Sequence, residues 1–290
     1  MSEVKKKKII IDPYSDSISK TYRRKLFSKF LAAINDYQLI DDNDIICVCI
    51  SGGKDSMLMA KIFMLYNKYV NSKVTIKYLV MNPGYNEINL QTIKNNLKIL
   101  NIPAHIEETN IFEIANSQEK SPCYLCAKMR RGALYRIAKE MNCNKIALGH
   151  HYDDVIETTL MNMLNAGSFQ TMLPKVHSDN YKGMELIRPM YYIREQDIIN
   201  WKIKNNLKFI QCACRFTENC AICDNGGGGS KRYETKLLIK KLTKEMNEHV
   251  EQNIFNAANN IILEKILGYK DATGHHSFLE NYKNLIKEDK

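Results

Sequence analysis

Three groups of residues have the types and spacing to do chemistry. The first is Ser51-Gly52-Gly53-Lys54-Asp55-Ser56, between the apolar run Ile45–Ile50 and a helix-like stretch, Met57–Tyr66. A β-branched run stopped by two glycines and followed by a helix reads as strand, loop and helix. Such a loop suits phosphate, because glycines let the backbone come close and the opening N–H groups of a helix favour an anion. Lys54 adds a point charge, and Ser51 and Ser56 add hydroxyl donors. The loop is shorter than a Walker A loop and carries an acid beside its lysine. Asp55 would sit poorly against bare phosphate without a divalent cation between them, so a Mg2+-nucleotide is the favoured ligand. The plainer alternative is a glycine turn that binds nothing.

The second group is Gly149-His150-His151-Tyr152-Asp153-Asp154-Val155-Ile156-Glu157-Thr158, directly after the strand-like Cys143–Leu148. It too lies at a strand-to-helix junction, which predicts a place beside SGGKDS on one rim of a sheet. Asp153 and Asp154 at the opening of a helix can hold Mg2+ or orient a leaving group. N-capping by Asp153 is the ordinary alternative, but it gives the histidine pair and Glu157 no part. His150 and His151 could equally be packing residues.

The third group is thiols, nine in the whole chain. Cys123 and Cys126 form a C-x-x-C at the start of the helical pattern Ser121–Ala138, followed by Arg130, Arg131 and Arg136. The helix dipole and the arginines lower thiol pKa values there. Cys212, Cys214, Cys220 and Cys223 then fall within twelve residues. Thiolate-rich sets select zinc or iron–sulfur clusters, and Cys123/Cys126 with Cys220/Cys223 has the spacing of a structural zinc site. On spacing alone a metal is favoured over buried thiols, and its identity stays open.

The elements that must position these groups alternate. Strands are predicted at Val74–Met81, Ala104–Glu108 and Leu186–Met190 besides the two above. Helices are predicted at Ser17–Tyr37, Glu87–Leu100, Arg194–Asn206, Tyr233–Asn247 and Asn253–Leu267. This alternation makes a doubly wound, mostly parallel sheet flanked by helices, an α/β Rossmann-like class. The chain divides into a basic arm and helix (1–40), a nucleotide-binding α/β domain (41–210) and a cysteine-rich loop with terminal helices (211–290). Gly167–Lys175 reads as a loop, Asn225–Ser230 as a flexible hinge with the composition of an engineered linker, and the tail from Asp271 as polar without pattern.

Composition sets the class. The 290 residues are 44% hydrophobic and 26% charged, and no apolar run approaches the ~18 residues of a membrane span. Three apolar residues before Asp12 are too few for a secretory signal, so a cytoplasmic protein with no membrane partner is expected. A net charge of +10 favours a polyanion, nucleic acid first, although a compositional bias of the source would give the same surplus. Arg23 and Arg24 fall on the polar side of Ser17–Tyr37, where they could face RNA or solvent.

SGGKDS, the arginine-followed C-x-x-C, GHHYDD and IRPMYYIRE at Ile187–Glu195 together resemble the tRNA 2-thiocytidine synthetases, a branch of the PP-loop ATP pyrophosphatases. The later F-x-x-x-x-C (Phe209 to Cys214) and the two terminal helices also fit, and the resemblance spans roughly residues 20–265. It implies the adenine nucleotide alpha hydrolase type of fold, with ATP and Mg2+ at Ser51, Gly52, Gly53, Lys54, Asp55, Ser56, Gly149 and His150. Lys54, Asp55, Asp153 and Asp154 would carry catalysis. It further implies a 4Fe–4S cluster on Cys123, Cys126 and Cys214, with Cys212 the second choice for the third ligand, leaving one iron open. Arg23, Arg24, Arg130 and Arg131 would bind tRNA, sulfur would come from a cysteine desulfurase or free sulfide, and the protein would be a homodimer. In the implied reaction AMP is transferred to a pyrimidine C2 oxygen, most simply of an anticodon-loop cytidine, and sulfur then displaces it. Cys220 and Cys223 depart from the family pattern. Competing readings are an adenylating ligase with an amine nucleophile, a zinc-stabilised RNA-binding module without ATP turnover, and a cluster-dependent desulfurase of free thiobases.

Overall fold

The strands are β1 (Ile45–Ile50), β2 (Thr75–Asn82), β3 (Ala104–Glu108), β4 (Lys145–Ala147), β5 (Lys175–His177) and β6 (Glu185–Ile187). They form one sheet in the order β3-β2-β1-β4-β6-β5, parallel except for the antiparallel edge strand β5. The central β1 is buried on both faces at every position but the first, which is why its sequence IICVCI is a continuous apolar run rather than an alternating one. Residues 12–70, 73–117, 122–210, 231–280 and 282 are described in this computed structural model. Cys212, Cys214, Cys220, Cys223 and the Asn225–Ser230 stretch lie outside them.

The helices are α1 (Pro13–Ser19), α2 (Phe27–Asp36), α3 (Lys54–Tyr69), α4 (Glu87–Ile99), α5 (Ile111–Asn116), α6 (Pro122–Glu140), α7 (Tyr152–Ala166), α8 (Glu195–Lys204), α9 (Lys231–Glu245) and α10 (Val250–Ala257). Ion pairs buried at one end pin the outer helices to α3. The fully buried Lys61 of α3 donates to Asp12 Oδ2 at 2.9 Å and to Leu100 O at 2.6 Å. An unpartnered ammonium in that place would cost several kcal/mol, so α1 and the end of α4 are held where those partners sit. Among the described residues no helix is long and apolar enough to cross a membrane.

The α/β class and the mostly parallel sheet match the sequence expectation, with three local differences. The single helix expected over Ser17–Tyr37 is two helices joined by a turn at 20–26, because Tyr22 OH donates to Asn200 O at 3.0 Å and Lys25 pairs with Asp197 at 3.1 Å, both on α8. The helix expected to run to Leu267 stops at Ala257, where Asn260 Nδ2 donates to Asn256 O at 2.9 Å, a side-chain amide taking a helix carbonyl. Beyond it lies an antiparallel hairpin, β7 (Gly268–Asp271) and β8 (Gly274–Ser277), not a patternless tail.

Candidate active site

Strand order reverses direction at β1, with β2 on one side and β4 on the other, and doubly wound sheets bind ligands outside the carboxyl ends of strands at such a switch point. The turn after β1 is Ser51-Gly52-Gly53, the turn after β4 is Leu148–His151, and the loop after β6 is 188–194. A cavity of about 330 Å3 opens at this rim, walled by Ser51, Asp55, Ser56, Gly149, His150 and Asp154 from the two signature loops. Cys49, Ile50 and Met81 from the strand ends, Leu148 from the turn after β4, and Arg130 and Leu134 from α6 complete it.

The residues of the Ser51–Ser56 loop explain its shape. Gly52 has φ +89°, and a Cβ there would fall 2.6 Å from Ile93 Cγ1 and 2.7 Å from Ile210 Cδ1. Only glycine allows that conformation in that space. Ser56 Oγ donates to Gly53 O and accepts from Ser51 N, each at 3.1 Å. Its hydroxyl folds the loop, whereas Ser51 is exposed. Gly53 caps α3 without a side-chain oxygen, so the first amides of the helix have no side-chain cap. The turn after β4 comes within backbone contact: a Cβ on Gly149 would lie 3.1 Å from Ser56 N and 3.2 Å from Asp55 C.

Charge is concentrated here. Lys54 Nζ lies 3.2 Å from Asp55 and 3.1 Å from Glu195 Oε1. Burial works against the Lys54 charge, but the two carboxylates outweigh it and hold its pKa above the ordinary lysine value. Asp55 Oδ1 is buried and accepts no hydrogen bond, although Lys54 Nζ stands 3.2 Å away, so this oxygen already faces positive charge and suits a cation. Mg2+ takes one or two protein carboxylates and fills its shell with water and phosphate, so Asp55 and Asp154, both on the cavity wall, fit it. Burial pushes the His150 pKa down to about 4, with Asp154 opposing and Arg188 assisting. Arg188 Nε donates to His150 Nδ1 at 3.3 Å, so the neutral ring carries its proton on Nε2.

The two adjacent aspartates separate. Asp154 Oδ2 accepts from His151 N at 3.0 Å, securing the start of α7. Asp153 Oδ2 instead accepts from Glu195 N at 2.7 Å, and its Oδ1 lies 3.3 Å from Arg194. Asp153 therefore braces the loop after β6 and lies outside the cavity wall, and the N-cap of α7 is His151, not Asp153. His151 is buried against the aspartates, 3.5 Å from Asp154.

On α6, Cys126, Arg130 and Leu134 are spaced four apart, which stacks them on one helix face. Arg130 and Leu134 line the cavity, so the buried Cys126 sits one turn along the same wall. Tyr85 marks the junction. Its hydroxyl donates to Ser51 O at 3.3 Å, and its pKa is raised mainly by burial, with Arg130 opposing and Cys126 assisting. Cys123 occupies α6 one turn before Cys126. Two cysteine positions three residues apart on α6 are a partial donor set for iron–sulfur or zinc, with Cys212, Cys214, Cys220 and Cys223 outside the described residues.

The PP-loop domain family matches residues 22–215. The tRNA-cytidine(32) 2-sulfurtransferase of Geotalea uraniireducens is 36% identical over 233 residues, covering 79% of this chain and 88% of that one. The chain belongs to the PP-loop family. The enzyme of the same name from Paraburkholderia xenovorans is 34% identical over 247 residues, covering 82% of this chain and 68% of its own. In fold, the PP-loop protein resembles the U34-tRNA thiolase NcsA from Methanococcus maripaludis, solved with its 4Fe–4S cluster. Its TM-score is 0.62 at 22% identity, covering 89% of this chain and 87% of that one.

In this PP-loop chain, Ser51, Asp55, Ser56, Gly149, His150, Asp154 and Arg130 meet at one cavity. Gly52, Gly53 and Lys54 adjoin it in the same loop and helix start. Arg131, Arg23 and Arg24 are exposed and do not line it. Sequence reasoning missed the cations of α9. Arg232 pairs with Asp154 at 3.1 Å and Glu157 at 3.2 Å, and Lys236 pairs with Glu195. It also gave no role to Glu195, Arg188 or Tyr85. The IRPMYYIRE block contains two of these three, and was the available signal.

Proposed function

We propose that this protein is an ATP-dependent tRNA sulfurtransferase that converts an anticodon-loop cytidine, cytidine 32 as in the relatives' name, to 2-thiocytidine. The observation that carries this reading is the α6 face on which Cys126 stands one turn from Arg130 and Leu134, two walls of the nucleotide cavity. A PP-loop alone serves many adenylating enzymes, whereas a C-x-x-C whose Cys126 stands one helical turn from the cavity-lining Arg130 joins nucleotide chemistry to sulfur chemistry.

The C2 oxygen of cytidine is a poor leaving group. Its attack on the α-phosphorus of ATP, breaking the α–β phosphoanhydride bond, releases pyrophosphate and makes AMP the leaving group. The loop amides around Gly52 and Gly53, with Lys54, would take up charge on the departing pyrophosphate. Asp55 and Asp154 would hold Mg2+, which neutralises phosphate charge when bound. Neutral His150 offers Nε2–H as a donor, and Arg130 a cation at the cavity wall. Sulfur then forms a bond to C2 as the C2–O bond breaks and AMP departs. Cys123 and Cys126, with Cys214 or else Cys212, would hold a 4Fe–4S cluster, which supplies an open iron position for sulfur. The sulfur itself would come from a cysteine desulfurase or free sulfide in the cytoplasm. Arg23, Arg24 and Arg131, exposed on the turn before α2 and on α6, would contact phosphates without reading sequence. An anticodon-loop base leaves its stack at low cost.

The test is anaerobic incubation of the purified protein with bulk tRNA, ATP, Mg2+ and sulfide, followed by nucleoside mass spectrometry. Formation of 2-thiocytidine that requires ATP, with one AMP per sulfur, is expected. AMP formation with no sulfur entering tRNA would overturn the reading in favour of a ligase.

A further inference from the structure

We propose that Glu195 is a positioning residue for the PP-loop lysine, and that Lys236 of the C-terminal helix α9 holds it in that role. This rests on the adenylation reading and adds to it a part for α9, which follows the cysteine-rich segment in the chain. Lysine carries about 2 kcal/mol of rotamer entropy and a compact, mobile charge, so a lysine that must meet a phosphate in one geometry gains from a fixed tether. Glu195 is such a tether. It is the first residue of α8, where a carboxylate is favoured by the helix dipole. Its backbone N–H is held by Asp153 Oδ2 at 2.7 Å. One carboxylate oxygen stands 3.1 Å from Lys54 Nζ, and the other pairs with Lys236.

The place of this relay in the molecule supports the assignment. A second cavity, about 290 Å3, is lined by residues that include Asp153, Glu157, Arg194, Glu195, Lys236 and Glu251. Glu195 of the second cavity pairs with Lys54, the neighbour of Asp55 in the first, and Arg232 joins Asp154 of the first to Glu157 of the second. Two cations four residues apart on α9 thus brace both carboxylates that face the PP-loop site. Without Glu195, the remaining partner of Lys54 among the described residues is its neighbour Asp55 at 3.2 Å. The ammonium would then rest on Asp55 alone, without the second carboxylate that fixes its direction. Lys236 prevents the reverse failure, in which Glu195 neutralises Lys54 entirely, because the carboxylate is shared between two ammoniums.

Single-turnover AMP formation with tRNA and the ATP dissociation constant are measured on intact wild type, Glu195→Gln, Lys236→Met and the double variant, with thermal midpoints on the same preparations. Glu195→Gln is expected to slow AMP formation by about 10- to 100-fold while ATP affinity changes less than about threefold, since the lysine's contribution grows as charge develops on the leaving pyrophosphate. Lys236→Met, at a position whose side chain is 32% exposed, is expected to slow it by about three- to tenfold, and the double variant no more than Glu195→Gln, because the two act through one lysine. The proposal is overturned by wild-type rates in both single variants. It is equally overturned by slowing that is matched by an equal loss of ATP affinity, which would make Glu195 a ground-state or structural contact. Failure of the adenylation reading shows separately, as absence of AMP formation in the wild type.

Discussion

Adding one methyl group at Gly149 tests whether the two signature loops must touch. A Cβ there meets Ser56 N at 3.1 Å and both Asp55 C and Ser56 Cα at 3.2 Å. All three are backbone atoms of the first turn of α3, so no flexible side chain can swing away. The turn after β4 must move off the PP-loop by a few tenths of an ångström, and overpacking of this kind costs about 1–3 kcal/mol. Gly167 at the other end of α7 supplies the control. It has φ +59° and open space around it, so Gly167→Ala costs about 1–2 kcal/mol of backbone strain without moving any loop. Both variants should therefore lose a few degrees of thermal midpoint, at about 2–4 °C per kcal/mol. Only Gly149→Ala should also lose catalysis, since a displaced His150 and Asp154 reduce AMP formation by about tenfold for each 1.4 kcal/mol of lost transition-state stabilisation. Paired measurements of melting and single-turnover AMP formation decide it. Wild-type turnover in Gly149→Ala, or equal losses in both variants, would refute the claim that the loop contact shapes the site.

Two further outcomes follow from the site's charges. Because burial lowers the His150 pKa to about 4 from 6.5, between those values the unfolded chain binds a proton that the folded chain does not. Stability should fall as pH falls through that window, by about 1–2 kcal/mol between pH 7 and pH 5. His150→Gln should flatten the difference in denaturation midpoints, and an unchanged slope would count against it. Arg232→Ala leaves Asp154 and the buried Glu157 without their cation, and burial already raises the Glu157 pKa. A loss of about 1–3 kcal/mol in urea denaturation is expected. Adding Glu157→Gln should restore part of it, and no recovery would show that the pair is not what Arg232 stabilises.

The parts of the site that sequence made legible are those where local pattern and chemistry coincide. SGGKDS and GHHYDD each combine a strand-to-helix junction with residues that line the cavity, and parallel topology then forces both onto one rim, as the Gly149–Ser56 contact shows. Asp153 and Asp154 look equivalent in a string of letters, yet one faces the cavity and the other braces Glu195, because neighbours on a helix point about 100° apart. Arg232 and Lys236 were illegible for a different reason. In KRYETKLLIKKLTKE a cation facing a carboxylate has the same spacing as one facing water, and only the docking of α9 on α7 distinguishes them. The hairpin at Gly268–Ser277 carries no alternating apolar pattern, and its turn is held by Asp271, whose Oδ1 accepts from Thr273 N at 2.7 Å. The break at 20–26 was imposed by contacts with α8 that no local periodicity encodes.

The central claim is that nucleotide and sulfur chemistry share the α6 wall, and Cys126→Ala tests it most directly. Wild type and variant are assayed side by side, anaerobically, for ATP binding and for ATP-dependent entry of labelled sulfide into tRNA. The variant is expected to bind ATP within about threefold of wild type, because Arg130 and Leu134 still form the cavity, and to incorporate no sulfur. Sulfur incorporation at the wild-type rate would contradict the account.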